Sequence, residues 1–170
     1  MATTIIGQEV AQLKQTFTVT ERYGVYITKI GLFFKGVSTT FPITLHLRFA
    51  GDSKGSIASV LKTASNMSSA ASATAATETQ FIFDKPIALL PGTYAFTLES
   101  ADLNEYVAWH SQLGDFKLGT TQERVVKDIT KGSMFPPSVG GAQTVNKDAD
   151  LKFTIYRANF AASSATAVFK

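Results

Sequence analysis

No cysteine occurs in the 170 residues, so a disulfide framework and a thiolate metal site are both excluded and stability has to come from packing. Charge is sparse at 17% of residues, and the formal net charge of +3 is not concentrated anywhere. Its cations (Lys14, Arg22, Lys29, Lys35, Arg48, Lys54 and Lys62 among them) are scattered along the chain. Phosphate recognition needs clustered cations, so no nucleic-acid partner is expected. No apolar run approaches the roughly 20 residues of a membrane-spanning helix. Met1 to Val10 also lacks the basic segment and apolar core of an export signal. A soluble protein without membrane insertion is expected. No segment carries a convincing helical repeat, which disfavours helical architectures.

What is present is an apolar content of 45%, with 13 Phe, arriving in short alternating runs rich in Phe, Ile, Val, Thr and Tyr. Those residue types suit a pleated, half-buried surface. Thr16, Thr18 and Thr20 alternate with Phe17 and Val19, with Leu13 continuing the buried phase. From Val25 to Lys35 the apolar phase changes sign between Val25/Ile27 and Ile30/Leu32/Phe34. Either a bulge near Thr28 and Lys29 restores the phase or both faces are buried. After Pro42, the residues Ile43, Leu45, Leu47 and Phe49 share a core parity, with Thr44, His46 and Arg48 on the solvent parity.

Ala64 to Thr77, rich in Ser, Ala and Thr, reads as a flexible loop or a weakly packed edge with room for a short helix. Phe81 and Phe83 resume the alternation, Pro91-Gly92 marks a hairpin, and Tyr94, Phe96 and Leu98 form its return face. Val107 with Trp109, and Leu151, Phe153 and Ile155, mark later strands. Between them Val125, Val126 and Ile129 read as core contacts in irregular structure, and Pro136 to Lys147 as loop. About eight or nine strands at spacings near ten residues predict an all-β, antiparallel, jelly-roll-like β-sandwich. It spans residues 13–160, with an N-terminal arm 1–12 and a C-terminal tail 161–170.

Catalytic motifs are thin. Any Ser-based nucleophile would depend on His46 or His110 as base, and His46 sits on the solvent parity of a strand. Asn146, Asp148 and Asp150 are a fragment of a calcium loop at most. Gly31 and Gly36 lack the Lys-Ser/Thr ending of a phosphate loop. No enzyme activity, metal or cofactor is expected. Aromatic residues are the better route to a ligand, because a saccharide stacks on a ring face while polar neighbours take its hydroxyls. Trp109 shares parity with Val107 and is assigned to the core, which turns Tyr106, Ala108 and His110 outward. Tyr106, His110 and Trp109 are therefore the candidate ligand or glycan contacts.

Leu13-Lys14-Gln15-Thr16-Phe17, Gly24 to Lys35, Pro42 to Arg48, Pro86 to Ala95, Tyr106-Val107-Ala108-Trp109, Gly132-Ser133-Met134-Phe135 and Asp150 to Phe160 occur in an order that resembles a β-sandwich module of tailed-phage baseplate and tail-fibre proteins. Two positions depart from that pattern: Lys14 stands in place of a small residue, and Pro136 to Gln143 lacks a Trp. The resemblance implies a structural virion component, either a tail, baseplate or fibre accessory or a capsid-decorating subunit. Its partners would be other virion proteins, in multiple symmetric copies or a homo-oligomer. The alternative it leaves is a carbohydrate-binding adhesion module on a host surface glycan. Ile5, Ile6, Val168 and Phe169, lying outside the resemblance, are the candidate assembly contacts. They either fold back on their own sandwich or add to a neighbouring subunit's edge.

Overall fold

The computed structural model describes residues 3–5 (as backbone), 12–52, 55–101, 105–126, 132–136 and 144–160. Within them the alternating runs become strands: β1 (Thr3–Ile5), β2 (Leu13–Val19), β3 (Val25–Gly36), β4 (Ile43–Phe49), β5 (Ala58–Lys62), β6 (Glu78–Leu89), β7 (Gly92–Ser100), β8 (Val107–Gln112), β9 (Met134–Phe135), β10 (Ala149–Leu151) and β11 (Phe153–Arg157). One helical turn, α1 (Ala64–Met67), lies between β5 and β6. The strands form two antiparallel sheets, so the chain is an all-β sandwich, as the sequence predicts. In sheet I, of six strands, β3 is flanked by β6 and β11 and passes on to β8, which β1 and β10 also line; sheet II runs β5-β4-β7-β2-β9. The count exceeds the expected eight or nine because β1, β9 and β10 are only two or three residues long and carry no readable alternation.

The core lies between the sheets. Leu13 and Phe17 of β2, Ile43, Leu45 and Leu47 of β4, and Phe96 and Leu98 of β7 meet Ile27, Ile30, Leu32 and Phe34 of β3 and Phe81 of β6. Phe96 and Phe153 touch edge-on across it, with centroids 5.1 Å apart. Gln15 is buried among these side chains and ties the sheets together: its Nε2 donates to Asp150 Oδ1 at 2.6 Å and its Oε1 accepts from the Leu151 amide at 2.9 Å. Both polar ends are thereby compensated for their loss of water.

The phase change in β3 is a bulge. The pairing with β11 steps from Lys29 to Ile27 and skips Thr28, while β6 steps from Ile82 to Ile87 at the same level. Thr28 Oγ1 donates to the Tyr156 carbonyl at 3.3 Å, and the buried set moves from Ile27 to Ile30, Leu32 and Phe34. Beyond it β8 pairs with β3 only at Ala108 and Val107, then splays away. β10 lines β8 and β11 lines β3, with the turn between them held by the Lys152 amide on the Trp109 carbonyl at 2.8 Å.

Several expectations are corrected. Phe49 is 57% exposed, because it is the last residue of β4 and rests on the buried Tyr94 ring, 5.4 Å away, at the end of the sandwich. Arg48, assigned to solvent, is 5% exposed. It lies along the outer face of sheet II, donating to Thr97 Oγ1, the Gly55 carbonyl and Glu99. Residues 64–77 are better packed than a loose loop: Met67, Ala70 and Ala75 are buried, and the Ser72 amide donates to the Phe34 carbonyl at 2.9 Å. Small side chains let this backbone lie against the sheet. Val125 is half-buried, but Val126 is 86% exposed, and Ile129 lies outside the described residues.

Candidate functional site

The middle of β8 is buried on both faces. Tyr106 and Ala108 point into the core, and the Tyr106 hydroxyl donates to the Phe41 carbonyl at 2.5 Å. Burial pushes that phenol's pKa up. Trp109 projects from the opposite face of sheet I, yet it is also buried, because the segment around Ser72 closes over it and accepts its Nε1–H at 2.9 Å. His110 is 8% exposed, and burial pushes its pKa down against the opposing charge of Asp115. The three candidate glycan contacts thus present no open ring face. The cover over the Trp109 side of β8 comes from a Ser/Ala-rich segment 37 residues upstream, beyond the reach of parity.

For the candidate assembly contacts, Thr3–Ile5 pairs through its backbone with Trp109–Val107 of the same chain, Ile5 opposite Val107. Ile6, Val168 and Phe169 lie outside the described residues. Asn146 Oδ1 accepts from the Asp148 amide and Asp150 Oδ1 from Gln15, so the calcium fragment is engaged locally. Among the described residues no group of three or more His, Asp or Glu is placed to hold a metal ion.

The outer face of sheet I carries a polar clasp. Glu78 of β6 reaches over Gly31 of β3 to β11, where its Oε2 accepts from the Tyr156 hydroxyl at 2.6 Å, and it also accepts from Gln80 at 2.8 Å. Lys29 Nζ donates to Gln80 at 2.8 Å and sits 4.2 Å from the Tyr156 ring centroid. Burial pushes the Glu78 carboxyl up, but hydrogen bonds from Tyr156, Gln80 and Thr154 and the Lys29 charge outweigh it, so its pKa stays below the ordinary value. A shallow pocket of about 180 Å³ lies at the hairpin after β8, between Ser111, Asp115, Phe116, Lys117, Leu118 and Val125.

One end of the sandwich, where the β2–β3 and β6–β7 turns meet, exposes several large apolar side chains. Gly24, at φ +72°, allows the contact: a Cβ there would lie 2.2 Å from the Leu89 carbonyl oxygen. Around it Tyr23 (84% exposed), Leu90 (69%), Phe160 (66%), Phe49 and Tyr26 all face solvent. Tyr26 and Phe160 pack edge-on at 5.2 Å, and the Tyr94 ring under Phe49 donates its hydroxyl to the Leu90 carbonyl at 3.0 Å. Tyr26 pairs with Ala88, which places the Tyr26–Phe160 contact beside the β6–β7 turn. The sequence held one signal of them: Tyr23 and Leu90 sit next to Gly24 and Pro91, at turn positions that usually carry polar residues. Comparison with protein-family models, curated proteins and solved structures finds no match.

Proposed function

We propose that the chain is a non-enzymatic structural subunit of a tailed-phage virion, a tail, baseplate, fibre or capsid-decorating component that works through protein–protein contacts. The carrying observation is the turn end, where Tyr23 and Leu90 stand exposed on two meeting turns and the exposed rings of Tyr26 and Phe160 pack on each other. Clustered exposed apolar surface of this kind marks an interaction site. The ordered residues that resemble baseplate and tail-fibre modules supply the virion setting, and the sandwich architecture agrees with that resemblance. Neighbours would be other virion proteins, with the subunit present in repeated, symmetric copies.

The test is a Tyr23→Ser/Leu90→Ser variant, both positions being too exposed to disturb the core. It should keep its melting temperature and fail to enter particles lacking the native protein, and antibody-gold against the native chain should label intact particles. Normal incorporation would remove the turn end from the proposal, and unlabelled particles would remove the virion. The exposed rings of Tyr23, Tyr26 and Phe160 support a second reading, a carbohydrate-binding module on a host surface glycan. Saturable glycan binding lost in Tyr26→Ala would favour it.

A further inference from the structure

The outer face of sheet II holds a row of polar side chains that the proposed assembly role does not use. His46 of β4 faces Ser59 of β5 in direct register, and Glu99 of β7 lies diagonally across on its other side, opposite Thr44. Ser59 Oγ is 2.7 Å from His46 Nδ1, and His46 Nε2 is 3.4 Å from Glu99 Oε2. The other carboxylate oxygen, Oε1, accepts from Arg48 at 2.8 Å, and Arg48 is fixed by Thr97 and the Gly55 carbonyl. Ser56 Oγ, 2.9 Å from Ser59 Oγ, completes the row. With the Nε2-protonated tautomer, which puts the N–H on the side of Glu99, Nδ1 can accept from serine.

A serine hydroxyl is a weak nucleophile by itself. It becomes a useful one when a base lies within hydrogen-bond reach and a third group orients that base. The base is within hydrogen-bond reach of Ser59, Glu99 lies 3.4 Å from its other nitrogen, and Ser59 is exposed on an edge strand, where a reagent can reach it.

We infer that Ser59 is a base-activated nucleophile, an acyl-acceptor site for small activated esters, with His46 as the base and Glu99 as the positioning residue. In the step, Ser59 Oγ attacks the ester carbonyl carbon while its proton passes to His46 Nδ1. Glu99 stabilises the imidazolium so formed. The tetrahedral intermediate then collapses, the bond from carbon to the leaving oxygen breaks, and the leaving group departs as the alcohol after taking the proton from His46. The products are the Ser59 ester and one free alcohol. A positioned base contributes about 10²–10⁴ in rate, whereas each missing oxyanion donor costs about 10²–10³. The developing oxyanion on this open face meets water, so stoichiometric acylation is expected in place of rapid turnover.

The experiment treats the full chain with p-nitrophenyl acetate, and separately with a fluorophosphonate, and follows intact mass and labelled peptides over time and pH. One label on Ser59, ahead of every other serine in the chain, is expected. His46→Gln should slow it about 100-fold, and Glu99→Gln should slow it at unchanged melting temperature, with the rate partly restored in Glu99→Asp. Ser59→Ala should remove the label with an unchanged melting temperature. Labels spread evenly over exposed serines, an unlabelled Ser59, or a Ser59 rate indifferent to His46→Gln in folded protein would overturn the inference. The preference for Ser59 within the native chain decides the matter even where a variant fails to fold. Because none of these residues belongs to the turn end, failure here leaves the assembly proposal standing.

Discussion

Gly31→Ala is expected to change sign with its neighbour. Gly31 sits in the middle strand of the β6-β3-β11 group, paired with Gln80 and Thr154, and an added Cβ would lie 2.1, 2.4 and 2.8 Å from Oε1, Cδ and Cγ of Glu78. All three atoms belong to one flexible side chain, so the backbone can stay while Glu78 swings away. That motion gives up its hydrogen bonds from Tyr156 and Gln80. Hydrogen bonds to a charged group are worth about 1.5–3 kcal/mol in protected sites. For the half-exposed Glu78 carboxylate, solvent screening brings the total loss to about 1–2 kcal/mol. Against it, replacing glycine where φ is not positive stabilises by about 0.4–1 kcal/mol through the unfolded chain. The net cost in the wild-type background is thus about 1 kcal/mol, a fall in Tm of about 2–4 °C for a chain of this size.

In a Glu78→Ala background the obstacle is gone, and the same Gly31→Ala should stabilise. Urea titrations of the four proteins, with unchanged m-values, give the coupling directly. Because the Glu78 pKa is held below its ordinary 4.5, its contribution is fully present above that pH and is lost as the pH falls through the lowered value. The coupling should shrink in acid accordingly. Equal effects of Gly31→Ala in both backgrounds would refute the clasp.

Leu45 is fully buried opposite Leu98 and Val60, so Leu45→Ala should cost about 2–5 kcal/mol in urea titration, and Thr44→Ala on the outer face under about 1; similar small losses at both would refute the register. His110 has a pKa below 6.5 when folded, because burial disfavours its charged form, so it binds protons more readily unfolded. Its contribution is intact above about pH 6.5 and is lost as the pH falls toward the folded value, so Tm should decline from pH 7 to pH 5 and decline less in His110→Gln.

The sheets were legible wherever alternation ran long enough to fix a face, as in Ile43, Leu45 and Leu47, or in the shifted phase of Ile27 and Ile30 that betrayed the bulge at Thr28. Period-2 reasoning states which residues share a face and leaves open which face is covered. Tyr106 was turned outward for that reason, whereas Trp109 is buried as expected but beneath a different cover. A Ser/Ala-rich segment that carried no strand signal closes over Trp109, while the core takes Tyr106.

The same limit governs both candidate sites. Phe49 follows the core parity of β4 but is the last residue of the strand, and Tyr23, Tyr26, Leu90 and Phe160 are exposed at turns and strand ends distant in sequence. Ser59, His46 and Glu99 each sit at an unremarkable outer position of a strand. Only the registers of β4 with β5 and β7 make them consecutive, and register across 13 and 53 residues is a property of the assembled sheet. Function on an antiparallel sandwich therefore lies one level above the alternation that specifies its core: parity fixes which side chains face outward, and pairing fixes which of them meet.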